Sequence, residues 1–120
     1  MTVGIFSGDP WGALWFAASY KYTEGRKDAW VRFVWDVKKA ATNLRKHGVS
    51  FQEASSVFFD PLSVTGDDPD HSFGERRSVT FGMSSSGRLL VVAHADQEDA
   101  IRILSARMVT RAERALYEEG

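Results

Sequence analysis

Helix start and stop signals between Asp36 and Pro61 constrain the fold more than any other feature of this chain. Asp36 precedes an amphipathic segment, and its carboxylate can accept the unpaired amides of a first helical turn. Gly48 suits the end of that helix, because glycine adopts a positive φ without a steric clash. Ser50 and Glu53 match a capping box for a second helix, which Pro61 terminates. The sequence therefore predicts two successive helices, over 37–46 and 50–59.

The rest of the chain after residue 31 has the alternation typical of strands. One strand precedes the first helix, and four follow the second helix. The strand over 88–95 is apolar on both faces near its middle, which indicates a central position. Thr110 and Glu113 then form a capping box for a last helix. The predicted strands cover 32–35, 62–65, 76–84, 88–95 and 100–107, and the last helix covers 111–119.

These elements predict an α+β fold: a small, mostly antiparallel sheet with two N-terminal helices and one C-terminal helix, in the order β-α-α-β-β-β-β-α. We expect the first two helices to pack on one face of the sheet through their apolar stripes. The expected core residues are Leu44, Phe51, Val57 and Phe58 on the helices, with Val79, Phe81, Leu90, Val92, Ile101 and Ile103 on the sheet.

Residues 1–30 differ from the rest of the chain, because tryptophans, tyrosines and glycines crowd there. The apolar run 11–18 is too short to cross a bilayer, and no basic segment precedes it. We interpret residues 1–30 as an N-terminal extension, either a mis-assigned start or a loosely ordered tail. Residues 31–120 then form the domain, since a valine codon such as that of Val31 can start a bacterial gene.

Charge and cysteine content limit the classes of function. The net charge is −1, so a nucleic-acid site has to be a local basic patch. The arginines of 102–114 form one basic stretch, whereas 60–70 is acidic. The chain has no cysteine, which excludes disulfides and a thiol nucleophile and fits a cytoplasmic location.

Metal and cofactor sites have little support in the sequence. The three histidines lie on three different elements, and no HxH, HExxH, Walker A or GxGxxG pattern occurs. His71 among Asp67, Asp68 and Asp70 could hold a cation weakly, although a solvated acidic loop explains the segment better. We therefore expect neither a metal nor a cofactor.

Arginine, glutamate and histidine side chains remain as candidates for a catalytic or phosphate-binding site. Guanidinium groups from neighbouring strands could bind phosphate, because each offers a planar fork of donors; solvated surface arginines are the competing interpretation. Arg102 and Arg107 are five residues apart, so strict alternation puts them on opposite faces unless a bulge intervenes. His47 lies at a helix C-terminus, where its simplest role is to cap the helix.

The order and spacing of several motifs resemble the BrnT toxin family. These are WDVKKAATNLRKHGVSF from Trp35 to Phe51, the pair Asp60-Pro61, the run Ile101-Arg102-Ile103-x-Ser105-Ala106-Arg107, the run Thr110-Arg111-x-Glu113-Arg114, and Tyr117-Glu118. The resemblance covers about residues 31–120. It implies a RelE-like fold and a toxin of a type II toxin–antitoxin module that cleaves RNA and so stops translation and growth.

The resemblance also implies site residues and partners. The candidate catalytic residues are His47, Glu75, Arg102 and Arg107, and the candidate RNA-binding residues are Arg76, Arg77 and Arg111. Cleavage would use the RNA 2′-hydroxyl as nucleophile without a metal, with Glu75 and His47 sharing the proton transfers in an order that the sequence leaves open. A BrnA-type ribbon-helix-helix antitoxin would neutralise the toxin in a hetero-oligomer, and operator DNA would be bound only through the antitoxin.

Two other functions compete with this one. A non-catalytic, toxin-like domain would use its arginines only to bind the antitoxin and to take part in autorepression of the operon. A small metal-dependent hydrolase would instead use His71 and its neighbouring aspartates.

Overall fold

The computed structural model describes residues 2–7, 14–22, 29–68, 76–96 and 100–119, and within these ranges the side chains from residue 31 to residue 118. The helices are α1 (Val37–His47), α2 (Phe51–Ser56) and α3 (Arg111–Glu119), and a 3₁₀ turn (Val57–Phe59) follows α2. The strands are β1 (Thr2–Ser7), β2 (Leu14–Tyr22), β3 (Ala29–Asp36), β4 (Val64–Asp67), β5 (Arg77–Met83), β6 (Leu89–Asp96) and β7 (Ile101–Met108).

All described strands belong to one sheet, in the order β1-β2-β3-β7-β6-β5-β4. The neighbours are antiparallel except β3 and β7, which pair in parallel only at Phe33 with Ile101 and Val34 with Arg102. The predicted α+β class and the element order from β3 onward are confirmed. β6 lies between β5 and β7, as its two apolar faces predicted.

The first two strands, β1 and β2, lie in the segment that we interpreted as an N-terminal extension. β2 pairs with β3 from Trp15 opposite Asp36 to Tyr22 opposite Ala29, and β1 pairs with β2. The backbone of this segment therefore extends the sheet beyond β3. The packing of its side chains lies outside the described residues.

The predicted helix caps are present, with one difference. Asp36 accepts the N–H groups of Lys38 and Lys39 at 2.7 and 3.3 Å, and Gly48 ends α1 at φ 67°. Ser50 accepts the Glu53 N–H at 3.0 Å, but the Glu53 carboxylate binds elsewhere, so only half of that capping box forms. α2 is also shorter than predicted, because it tightens into the 3₁₀ turn after Ser56.

The core lies between α2 and the helix-facing side of the sheet. Ten buried residues form it: Phe33, Trp35, Val49, Phe51, Ala54, Val57, Leu90, Val92, Ile103 and Ala106. Trp35 and Phe51 meet edge to face, with ring centroids 5.9 Å apart. The predicted core residues Phe51, Val57, Leu90, Val92 and Ile103 are confirmed as buried, and Phe58 and Ile101 pack against them.

The prediction that three further residues belong to the core is wrong. Leu44 is 51% exposed, because α1 lies beside the edge of β7 and turns Asn43 inward instead. Val79 and Phe81 are half-buried on the opposite face of β5, since Thr80 and Gly82 face the helices. A Cβ at Gly82 would lie 2.7 Å from Val57 Cγ1, so glycine allows the 3₁₀ turn to approach β5 closely.

Glu53 ties α2 to the turn between β5 and β6. Its carboxylate accepts hydrogen bonds from Ser84, Ser86 and Arg88, and Arg88 also donates to the Gly48 carbonyl oxygen. The hydrogen bond from Arg88 lowers the pKa of Glu53 from 4.5 to about 2, although desolvation opposes the shift. The charged form of Glu53 therefore stabilises the fold.

This network predicts acid sensitivity. Because the pKa of Glu53 is lower in the folded state, its contribution is complete above about pH 4.5 and is lost as the pH falls toward 2. We expect Glu53→Gln to lower the free energy of unfolding at pH 7 by about 1–3 kcal/mol and to flatten its pH dependence between 4.5 and 2. Urea unfolding across that range measures both effects. Glu118→Gln, which removes an exposed carboxylate of α3, is the control; equal behaviour of the two variants would contradict the prediction.

Candidate functional site

A β-bulge in β7 brings Arg102 and Arg107 to one face of the sheet. Along β6, Ala95 pairs with Arg102, Ala93 with Ser105 and Val91 with Arg107, and the register shifts between Ala93 and His94. The β6 partners are two residues apart, so the three β7 side chains share the face turned away from the core. Leu104 is the extra residue of the bulge. The condition that the sequence set for a common arginine face is thus met.

The amide of Asn43 joins α1 to the edge of β7. Its Nδ2 donates to the carbonyl oxygens of Val49 (3.0 Å) and Ala106 (2.8 Å), and its Oδ1 accepts the Ala106 N–H at 3.1 Å. Asn43 is buried, so each of these bonds replaces one to water. The amide of Asn43 thus makes the two hydrogen bonds to the backbone of Ala106 that a neighbouring strand would otherwise make.

A cleft runs between α1 and β7, and we call it the α1–β7 cleft. Its larger part, of about 370 Å³, is lined by Lys38, Lys39, Thr42, Asn43, Lys46, His47, Leu104 and Ser105. A smaller part, of about 210 Å³, is lined by Asp36, Lys39, Arg102, Ile103 and Leu104. Both parts share Lys39 and Leu104, so they adjoin, and together their lining includes both His47 and Arg102.

The charge of this cleft is positive, although the chain has a net charge of −1. Three lysines and Arg102 line it, and Asp36 is the carboxylate among its lining residues. The Asp36 carboxylate already accepts two backbone amides of α1. The local basic patch that the sequence required is therefore present in the described part of the chain.

Arg107 shares the face of Arg102, but α3 holds its guanidinium. Nη1 and Nη2 donate to the two carboxylate oxygens of Glu113 at 2.8 and 2.9 Å. This bidentate pair lowers the pKa of Glu113 from 4.5 to about 2 and raises the pKa of Arg107. A phosphate would have to compete with Glu113 for this arginine.

A second contact fixes the other end of α3. The Tyr117 hydroxyl donates to Asp60 Oδ2 at 2.6 Å, and the same oxygen accepts the Met83 N–H of β5 at 2.7 Å. Burial alone would raise the pKa of Asp60, but the hydrogen bonds from Met83, Tyr117 and Leu62 outweigh it and lower that pKa. The bond to Asp60 raises the pKa of Tyr117 to about 12. Asp60, which the sequence offered only as part of the motif Asp60-Pro61, thus anchors α3.

The remaining predicted site residues are dispersed. Arg77 pairs with the same Ala95 as Arg102, which places the two arginines two strands apart on one face. Arg76 is exposed and contacts Asp67 at 3.3 Å, and Arg111 is exposed at the start of α3. Glu75 lies outside the described residues, and so does His71. In the described ranges, no group of three or more acidic or histidine side chains could hold a metal ion.

His94 forms a buried polar chain that the sequence did not predict. Its Nε2 lies 2.8 Å from Thr80 Oγ1, which lies 2.7 Å from Thr65 Oγ1, and its Nδ1 lies 2.7 Å from Asp96. The ring of Phe58 covers the imidazole edge to face at 4.8 Å. Every polar atom of the imidazole is satisfied within the sheet, so we assign this histidine to the structure of the core.

The lysines and Ser105 of the cleft were missed as site residues. Lys39, Thr42 and Lys46 recur at spacings of three and four, which places them on one side of α1. That spacing was available in the sequence, but it is also common on solvated helix faces. The bulge that turns Leu104 toward the cleft has no such signature.

These features define a small α+β domain with a basic cleft between α1 and the central strand β7. The buried amide of Asn43 joins the two sides of this cleft. The family model described as "Ribonuclease toxin, BrnT, of type II toxin-antitoxin system" matches residues 35–113, about two thirds of the chain. The chain belongs to this family of ribonuclease toxins, as the motifs of the sequence predicted.

The crystal structure of the ribonuclease toxin BrnT from Brucella abortus is similar to this chain. The two are 20% identical, with a TM-score of 0.47, over 64% of this chain and 94% of the Brucella chain. No curated protein matches the sequence. Within the described residues, none of the helices has the length and apolarity required to cross a membrane.

Proposed function

We propose that the chain is a metal-independent endoribonuclease that cuts RNA in the α1–β7 cleft and so inhibits translation. The observation that carries the proposal is the cleft itself, whose lining combines His47 and Arg102 with three lysines. A chain with a net charge of −1 that concentrates cations in one concave surface is suited to an anionic substrate.

The proposed reaction needs no group beyond those of protein and RNA. The 2′-hydroxyl attacks the adjacent phosphorus, the bond to the 5′-oxygen breaks, and a 2′,3′-cyclic phosphate remains. His47 would transfer one of the two protons, and Arg102 would stabilise the negative charge that develops on the phosphoryl oxygens. Glu75 remains our candidate for the other proton, with Arg76, Arg77, Arg107 and Arg111 as candidates for phosphate contact.

Membership of the family implies an antitoxin partner. We propose that this partner is a BrnA-type ribbon-helix-helix protein that forms a hetero-oligomer with the chain in the cytoplasm, and that operator DNA is bound through it. We also propose that residues 31–120 suffice for toxicity and that residues 1–30 are an accessory extension. Expression of a chain that begins at Val31 tests whether residues 31–120 suffice, since we expect this shorter chain to arrest growth.

A non-catalytic toxin-like protein remains the second candidate. The observation in its favour is that Glu113 binds the guanidinium of Arg107, which is one of the proposed catalytic arginines. In this case the cleft and the arginines of β7 would bind only the antitoxin.

Cleavage in the presence of EDTA tests the proposal. We expect the purified chain to cut RNA at an unchanged rate after metal removal, to leave 2′,3′-cyclic phosphate ends, and to arrest growth on expression. Intact RNA and normal growth, with a native circular dichroism spectrum, would favour the non-catalytic alternative. Activity that disappears with EDTA and returns with a divalent cation would favour the metal-dependent hydrolase.

A further inference from the structure

Among the described residues, the lysines on the cleft side of α1 have no carboxylate partner. In the described part of the chain, Arg76, Arg88, Arg107 and Arg114 each form an ion pair, whereas Lys38, Lys39 and Lys46 form none. All three lysines are exposed and line the larger part of the cleft. Their charge is therefore available to an anion from outside.

The spacing of these lysines suits an extended polyanion. Lys39 and Lys46 are seven residues apart, which is about 10 Å and nearly two turns along one side of a helix. Thr42 lies between them with a hydroxyl that also lines the cleft. Such a row can contact more than one phosphate of a single extended strand.

Among the described residues, the wall of the cleft opposite α1 carries no Phe, Tyr or Trp ring on which a base could stack. The lining residues of both parts include none of these three types; the imidazole among them, His47, lies on α1, and Trp35, next to Asp36, is buried in the core. Proteins that recognise unpaired bases stack them on aromatic rings. The larger part of the cleft has a volume of about 370 Å³, within the range that holds a small ligand, so it suits a segment of one strand better than a double helix.

We propose that the α1 side of the cleft, through Lys39 and Lys46, binds the sugar–phosphate backbone of a single RNA strand beside the scissile phosphate, independently of sequence. This inference rests on the proposed function, because it assigns a backbone subsite to the same cleft. Contacts to phosphate position a strand without reading its bases. The subsite accounts for affinity, and base preference has to come from other parts of the protein.

Binding of a non-cleavable strand tests the subsite separately from catalysis. Short 2′-O-methyl oligonucleotides of different sequence are titrated at several KCl concentrations, and fluorescence anisotropy gives the association constant. Each phosphate contact on a single strand contributes about −0.7 to the slope of log K against log salt. We expect the double variant Lys39→Gln/Lys46→Gln to reduce the magnitude of this slope by about 1.4 for every sequence.

The matched control is the double variant Arg45→Gln/Arg114→Gln, which removes the same charge from exposed positions that do not line the cleft. Its slope should equal that of the wild type. An equal loss in both variants, an unchanged slope in the lysine variant, or a change of slope in the lysine variant that differs strongly between base sequences would overturn the subsite. Cleavage of ordinary RNA by the wild-type chain is assayed in parallel. If the wild type cleaves RNA but the lysine variant keeps the wild-type slope, only the proposed subsite is rejected. If the slopes change as expected but the wild type does not cleave RNA, only the proposed ribonuclease activity is rejected.

Discussion

Replacing Asn43 with alanine is expected to lower the free energy of unfolding by about 3–5 kcal/mol, which is a large part of the stability of a small domain. The substitution leaves the Ala106 N–H and the carbonyl oxygens of Ala106 and Val49 without the bonds that Asn43 provides. Buried backbone groups without partners are among the few causes of losses this large. Urea or thermal unfolding measures the effect directly.

Two variants make this result specific. Thr42→Ala changes the exposed neighbour of Asn43 and should stay within about 0.5 kcal/mol of the wild type. Asn43→Asp keeps the side-chain shape and the acceptor for the Ala106 N–H, but an ionised carboxylate cannot donate to the two carbonyl oxygens. We expect it to be destabilised as well. An Asn43→Ala loss below about 1 kcal/mol would falsify this role for the amide.

The second large effect concerns activity. His47→Ala should reduce RNA cleavage by about 10²–10⁴-fold, the usual range for the loss of a general acid or base. His47 is exposed at the end of α1, so the fold should be retained and the stability should change by less than about 1 kcal/mol. Single-turnover cleavage rates, measured across pH with saturating enzyme, separate this effect from weaker binding.

Arg45→Gln is the matched control for His47→Ala, because it changes a charged residue two positions away that does not line the cleft. It should cleave RNA at the wild-type rate. If His47→Ala cleaves as fast as the wild type and with the same pH profile, the histidine is only a helix cap, and proton transfer has to be assigned to other groups such as Glu75.

Local chemistry made much of the fold predictable. The caps at Asp36, Ser50 and Thr110 and the stop at Gly48 each depend on one residue satisfying nearby backbone groups, which a sequence displays directly. The central position of β6 followed from its apolar residues on both faces. These features need no knowledge of which elements meet in space.

Features that depend on tertiary contacts were not predictable in the same way. Hydropathy placed Leu44 in the core. In the structure, however, Asn43 faces β7 beyond the two residues that pair with β3, and its amide can hydrogen-bond to the backbone of Ala106 there. The common face of Arg102 and Arg107 depends on a bulge whose position is set by the pairing with β6. Arg107 was a candidate for contact with phosphate, but in the folded chain its guanidinium forms an ion pair with the Glu113 carboxylate of α3.

The short parallel pairing between β3 and β7 has a consequence for the cleft. One wall of the cleft continues from β3 into α1, and the other is β7 itself. Two residue pairs, the amide of Asn43 and the packing of Phe33 and Trp35 with Ile103 and Ala106 in the core join these walls. Because hydrogen bonds between the walls are confined to this short junction, a substitution there is expected to change the distance between Lys39 and Arg102 more than a substitution in the antiparallel strands on either side.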